Sequence, residues 1–237
     1  MVSAAEIKDE LFSIAIPGKR EVLSNFFKTG PGEYGEGDIF IGVTVPQQRE
    51  LVRRYQLMPP SDIANLLNEE FHECRMTALL FLVRHYQKSK SEDEKTKIFN
   101  FYLNHTKGIN NWDLVDLSAP YIVGDFLLNR NRELLYELIK SPNMWEQRIA
   151  IVATLTFIRN NDFSDTFKFA EMMLETPHDL LRKAMGWMLR EVGKRDFQQL
   201  YDFLKGHYKK MSRTTLRYAI EKFDEHTRKQ FLKGEIN

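Results

Sequence analysis

Apolar residues recur along this chain at intervals of three and four, the spacing that gathers them on one face of an α-helix, and clear apolar–polar alternation is absent. Leu79, Phe81, Leu82 and Tyr86 show the pattern, as do Ile149, Val152, Leu155 and Phe157. Breakers fall between such runs: Pro59-Pro60-Ser61, Gly108, Pro120, Ser141-Pro142, Pro177, Gly193 and Gly206. The pattern predicts about a dozen helices of roughly 8 to 18 residues joined by short loops.

Four segments are weakly self-similar: His72-Glu73-Cys74-Arg75, Trp112-Asp113-Leu114-Val115, Trp145-Glu146-Gln147-Arg148 and Asp179-Leu180-Leu181-Arg182. Each opens a predicted helix. Their starts lie 40, 33 and 34 residues apart, and a fifth helix is predicted near Ser212, 33 further on. A period in the thirties to forties with two helices per period marks a TPR or HEAT/armadillo array, and the TPR signature residues are missing. The expected fold is therefore all-α, a right-handed superhelical solenoid of HEAT-like helical repeats. It should form one domain over residues 1–237, with its chemistry on the concave face.

Composition adds limits. Hydrophobic residues at 43% and charged residues at 28% exclude a disordered chain. The single cysteine, Cys74, excludes an internal disulfide framework and fits a reducing compartment. Met1 to Glu10 has no signal-peptide pattern, and no run approaches the roughly 20 apolar residues of a membrane span. A cytoplasmic, monomeric protein is expected. Net charge is only +1, yet residues 176–237 hold 14 Lys and Arg against 8 Asp and Glu. A basic C-terminal quarter suits a local anionic partner, although a solvated, salt-laced helix surface has the same composition.

Two motifs fail on inspection. Gly30-Pro31-Gly32-Glu33-Tyr34-Gly35 formally matches the dinucleotide fingerprint, but no strand precedes it and its acids would repel a pyrophosphate. This glycine-rich stretch, Thr29 to Asp38, is expected to be a mobile connection, with no nucleotide cofactor. His72-Glu73 lacks the second histidine of a zinc motif, because Met76 stands there, so no metal is expected.

Two constellations remain. Trp112 and Asp116 are four apart and share a helical face, while Asp113 belongs in the first turn, where a carboxylate favours the helix dipole. An isolated tryptophan is more commonly a core residue. Lys183, Trp187, Arg190 and Lys194 follow at spacings of 4, 3 and 4 and line one face, an arrangement unlike a core because unpaired buried charge is costly. Arg148 opens a helix just after Trp145, and Arg49 and Arg53 share another face. Cations with interleaved aromatic rings suit nucleic acid, the cations holding phosphates and the rings meeting sugars or bases. One acid among them needs another reason, which stabilising positive charge in a reaction supplies.

With these residues, the chain resembles the AlkD-like DNA glycosylases, DNA alkylation repair proteins built of HEAT-like repeats. The likeness lies in Phe26-Phe27-Lys28-Thr29-Gly30, Ile41-Gly42-Val43-Thr44-Val45-Pro46-Gln47-Gln48-Arg49, Asn111-Trp112-Asp113-Leu114-Val115-Asp116, Asn143-Met144-Trp145-Glu146-Gln147-Arg148 and Lys183-Ala184-Met185-Gly186-Trp187-Met188-Leu189-Arg190. The resemblance implies excision of positively charged alkylpurines, chiefly N3-methyladenine and N7-methylguanine, from double-stranded DNA. It implies Asp116 as the catalytic carboxylate, Trp112 and Trp187 against the deoxyribose and backbone, and Arg148 and Arg190 on phosphates. Lys183, Lys194 and Arg49 join them as DNA-binding candidates. It further implies work without a base pocket, and the sequence carries no pocket signature. Thr156 stands where some members carry a lysine and Phe26 where some carry a tyrosine, so two backbone contacts are lost. The competing reading is a non-catalytic HEAT-like module binding DNA or protein, in which the carboxylate or the tryptophan pair would be expected to be gone.

Overall fold

The computed structural model describes residues 1–236. The chain is all-α: among the described residues no strand forms, and an isolated bridge joins Ile39 to Phe71. Among the described residues no helix is long and apolar enough to cross a membrane. The chain divides into two compact units, Met1–Ser118 and the part from Ala119 onward.

The first unit contains α1 (Ala4–Ser13), α2 (Lys19–Phe26), α3 (Val45–Tyr55), α4 (Pro60–Leu67), α5 (His72–Lys88), α6 (Glu92–Asn104), a 3₁₀ turn (Thr106–Gly108) and α7 (Trp112–Asp116). Capping boxes set the start of α1 and α3, with Ser3 paired to Glu6 and Thr44 to Gln47, so orphan amides are satisfied locally. The unit is built around α5, which is buried without a break from His72 to Val83 and packs against α3, α4 and α6. A helix buried all round is a core helix rather than an amphipathic surface one. Cys74 lies inside it, and burial pushes its thiol up to about 12, which leaves it inert.

The second unit opens on a π-helical turn (Pro120–Gly124), followed by α8 (Asp125–Leu127), α9 (Glu133–Leu138), α10 (Met144–Arg159), α11 (Ser164–Met172), α12 (Asp179–Arg195), α13 (Phe197–His207), α14 (Arg213–Ala219) and α15 (Glu225–Lys233). α10 packs on α12 and α12 on α14, so the leading helices of successive repeats lie against one another. Helices begin at His72, Trp112, Met144, Asp179 and Arg213, within a residue or so of the starts read from self-similarity. α12 and α14 meet closely at Gly186, where a Cβ would meet Tyr218 Cβ at 2.4 Å and Thr215 O at 2.6 Å. That glycine serves helix–helix approach.

Candidate functional site

α7 spans little more than one turn, too few hydrogen bonds to hold itself in place. Side chains fasten its N-terminus. Asn111 Oδ1 accepts from the Trp112 amide at 2.8 Å, and Asp113 Oδ1 accepts from the Leu114 amide at 2.9 Å. The other Asp113 oxygen lies 3.0 Å from His72 Nε2, while His72 Nδ1 lies 3.2 Å from Asp38 Oδ2. Burial opposes charge on His72, but the carboxylates of Asp113 and Asp38 outweigh it and raise the imidazole to about 9. Both ring nitrogens then donate. Burial also opposes ionisation of Asp38, yet hydrogen bonds from His72 and Asn111, with the Arg75 guanidinium at 2.5 Å, keep its carboxyl below the ordinary range. One buried imidazolium thus ties the end of the glycine-rich stretch to α5 and α7.

That stretch was expected to be a mobile connection, but its last residue is buried and fastened on three sides. Its amides are already engaged: Gly30 donates to Glu33 Oε2 at 3.0 Å and Gly32 to Glu36 Oε2 at 2.9 Å. The acids that made a phosphate cradle implausible occupy it themselves. The next segment is pinned by Glu73, whose buried carboxylate accepts the amides of Ile41, Gly42 and Val43 at 2.9, 2.8 and 3.1 Å.

Aromatic rings cover the ionic cluster. Trp112 stacks on Phe27 at 5.2 Å, Phe27 on Phe40 at 5.0 Å and Phe40 on His72 at 4.7 Å between centroids. Trp112 Nε1 donates to the Tyr34 hydroxyl at 3.3 Å. Beside the stack lies a cavity of about 430 Å³ whose walls include Phe26, Phe27, Phe40, Met76, Trp112 and Asp116. A pocket was not expected from the sequence. It exists because the end of α2, the segment at residue 40 and α7 meet, which no local spacing encodes. Asp116 closes α7, the end at which the helix dipole disfavours a carboxylate, whereas Asp113 occupies the favoured first turn. Phe26 is 62% exposed and meets Trp112 edge-on at 6.0 Å, so it offers a ring where a tyrosine would add a hydroxyl. Arg49 is exposed on α3 and lines, with Arg53 and Arg84, a separate groove of about 390 Å³.

In the second unit, α12 carries Lys183, Trp187, Arg190 and Lys194 as the spacing predicted, but not as an all-basic stripe. Lys183 pairs with Asp179 at 2.7 Å, and Arg190 pairs with Glu221. Glu191 Oε1 takes both the Trp187 Nε1 proton at 3.1 Å and the Lys194 ammonium at 2.6 Å. The Lys183–Asp179 pair is exposed and contributes about 0–1 kcal/mol, so a phosphate can replace its carboxylate at little cost, whereas Arg190 and Glu191 are half-buried. Arg148 is 5% exposed and donates from Nη1 to the Leu180 carbonyl at 2.6 Å, which makes it a strut between α10 and α12. Thr156 donates to the Pro120 carbonyl at 2.6 Å and packs on the π-helical turn.

The residues missed from sequence are Asp38, His72 and Glu73. His72-Glu73 reads as a failed zinc motif, and among the described residues no cluster of His, Cys, Asp or Glu is placed to hold a metal ion. The available sign was two ionisable residues opening a helix that carries the apolar run Ala78 to Val83; their partners lie about 30 to 40 residues away in sequence.

The fold and these sites define a helical-repeat protein with an aromatic, carboxylate-bearing cavity and a salt-laced basic helix. The family model for the DNA alkylation repair enzyme matches residues 7–223, and the chain belongs to that family. Among solved structures, one described as a predicted DNA alkylation repair enzyme from Enterococcus faecalis is similar, with a TM-score of 0.68 at 16% identity. The match covers 89% of this chain and 97% of that one, and at such identity it speaks for the fold alone. No curated protein matches.

Proposed function

We propose that this protein is a DNA glycosylase that hydrolyses the N-glycosidic bond of cationic alkylpurines, N3-methyladenine and N7-methylguanine, in duplex DNA. The observation that carries the reading is Trp112 and Asp116 on the wall of one aromatic cavity, in a chain of the DNA alkylation repair family. Alkylation has already placed a positive charge on the purine. The bond from the sugar C1′ to the purine N9 therefore breaks with its electron pair passing to N9, and the base leaves neutral without a general acid. Positive charge moves to the deoxyribose, where the Asp116 carboxylate opposes it at short range. Water adds to C1′ and gives its proton to Asp116, help that is typically worth about 10²–10⁴-fold. No cofactor is required by this scheme.

Trp112 and Trp187 would pack against the deoxyribose and backbone, with Arg190, Lys183, Lys194 and Arg49 on phosphates. Arg148, buried between α10 and α12 and bonded to the Leu180 carbonyl, would hold α12 in place for those contacts. The test is incubation of the purified protein with a duplex containing N7-methylguanine, following free base under single-turnover conditions. Release, with little from neutral damaged bases, is expected. Salt-sensitive duplex binding without any release would leave the non-catalytic DNA-binding module instead.

A further inference from the structure

The glycine-rich stretch has no part in the bond-breaking chemistry, yet it takes hold of Trp112 twice. α2 ends at Phe26, and Lys28, in the left-handed region at a φ of 53°, turns the chain back toward that end. The Gly35 amide then donates to the Lys28 carbonyl at 3.1 Å. Gly35 lies so close to the end of α2 that a Cβ there would collide with the Phe27 carbonyl oxygen, so only glycine admits the loop to this place. The half-buried Tyr34 beside it reaches Trp112. Its hydroxyl accepts from Trp112 Nε1 at 3.3 Å and donates to the Phe26 carbonyl at 3.4 Å, one of the carbonyls that a helix end leaves without a helical partner. Four residues on, Asp38 Oδ2 accepts from Asn111 Nδ2 at 2.8 Å, and Oδ1 of the same Asn111 accepts the Trp112 amide. One loop thus holds one tryptophan by its indole and, through Asn111, by its backbone.

Stacking alone does not fix a ring. Trp112 lies against Phe27 at 5.2 Å and meets Phe26 edge-on at 6.0 Å, contacts that leave the indole free to slide and to turn in its own plane. A directional bond at Nε1 removes that freedom. α7 has only five residues, so a shift of Trp112 at its start carries Asp116, one turn on, with it. We propose that the glycine-rich loop positions Trp112 against the deoxyribose, with Tyr34 and Asp38 as positioning residues and Gly35 as the residue that admits the loop. The inference rests on the glycosylase reading for the reaction it serves, and it needs no base turned out of the duplex. It also gives Phe26 a different meaning: where some members carry a tyrosine, this chain brings a tyrosine hydroxyl from the loop, bonded to the Phe26 carbonyl itself.

The experiment uses the full chain, in which Tyr34→Phe removes the hydroxyl and keeps the ring. Two readouts are taken on one preparation. The first is the Trp112 indole N–H resonance by NMR without DNA, assigned by its loss in Trp112→Phe; the second is single-turnover release from an N7-methylguanine duplex. Tyr34→Phe should shift the Trp112 resonance and speed its exchange with solvent, leaving those of Trp145 and Trp187 in place. Release should slow about two- to tenfold, the worth of one neutral hydrogen bond, with duplex affinity unchanged. Gly35→Ala, whose methyl group displaces the loop, should move the same resonance and slow release further, by up to about 10²-fold. Tyr55→Phe, which loses an exposed hydroxyl bond to Glu10, should change neither readout. An unmoved Trp112 resonance in Tyr34→Phe overturns the inference, whatever the excision assay reads. A moved resonance with unchanged release overturns the positioning role, and so does a loss confined to duplex affinity, which makes Tyr34 a DNA contact instead. If the wild type releases no base, the glycosylase reading falls. A resonance that still moves then leaves the loop as the element that sets Trp112 for DNA contact without chemistry, and one that does not move overturns both.

Discussion

The two units hold their charged residues in opposite ways. In the first, Asp38, His72, Glu73, Arg75 and Asp113 are buried, and each is matched to a specific partner at the foot of an aromatic stack. In the second, Lys183 and Lys194 lie on the more exposed face of α12 with the half-buried Arg190 between them, paired with Asp179, Glu191 and Glu221 respectively. A buried pair is costly to break, because the survivor remains charged without water; an exposed pair exchanges partners easily. The first unit is therefore built to hold one geometry, as the proposed reacting centre needs. The second can trade exposed carboxylates for other anions, as the proposed phosphate contacts need.

The strongest way to break this contrast is His72→Leu, which leaves Asp38 and Asp113 buried without their common counter-charge. A loss of about 3–5 kcal/mol is expected in urea unfolding, and a loss under about 1 kcal/mol would mean that the bracket is not what holds α7. The wild type should show the same bond through pH. The folded-state pKa of His72, about 9, lies above its ordinary 6.5. Its contribution is thus complete below about 6.5 and disappears as pH rises through about 9. Asp38 acts at the other end: its pKa is lowered, so its contribution is lost only as pH falls through that lowered value. The alkaline loss should vanish in His72→Leu.

Asp116→Asn keeps the shape of the carboxylate and removes its charge. The single-turnover release of N7-methylguanine should fall by about 10²–10³-fold with duplex affinity near wild type. If the rate holds while thermal stability drops, Asp116 is a structural partner and the contrast between the units loses its functional meaning. Gly186→Ala should cost about 1–3 kcal/mol, because α12 and α14 leave no room for a methyl group; calorimetry of the variant would show this. The smallest effect is expected at Arg190→Ala. Stability should change by less than about 1 kcal/mol, while the slope of log affinity against log salt becomes shallower by about one. An unchanged slope would remove Arg190 from the phosphate-binding surface.

Much of this architecture was legible in the one-dimensional pattern. Helical periodicity and a spacing in the thirties placed the openings of α5, α7, α10, α12 and α14 correctly, because the burial of a helix face repeats along the chain and leaves its mark in residue order. The four-residue spacing of Trp112 and Asp116 put them on one face of α7, and both line the cavity. Helix geometry alone decides such local relations.

The rest was decided by tertiary structure. Gly186 is where α14 presses in, a contact that nothing local to α12 encodes. The basic stripe on α12 lost its single sign because Glu221 arrives from past α14 to pair with Arg190 and Glu191 turns toward Lys194. Asp38 and His72 lie 34 residues apart, Glu73 and Ile41 32. Nothing in residue order marks them as partners, since their attraction matters only after burial has removed the water that would otherwise solvate each one separately. The sequence by itself determined which segments are helical and which side chains share a helical face. Only the packing of those segments decided which charges are buried, which are exchanged, and where a cavity remains, because desolvation is a property of the assembled core and not of any stretch of chain.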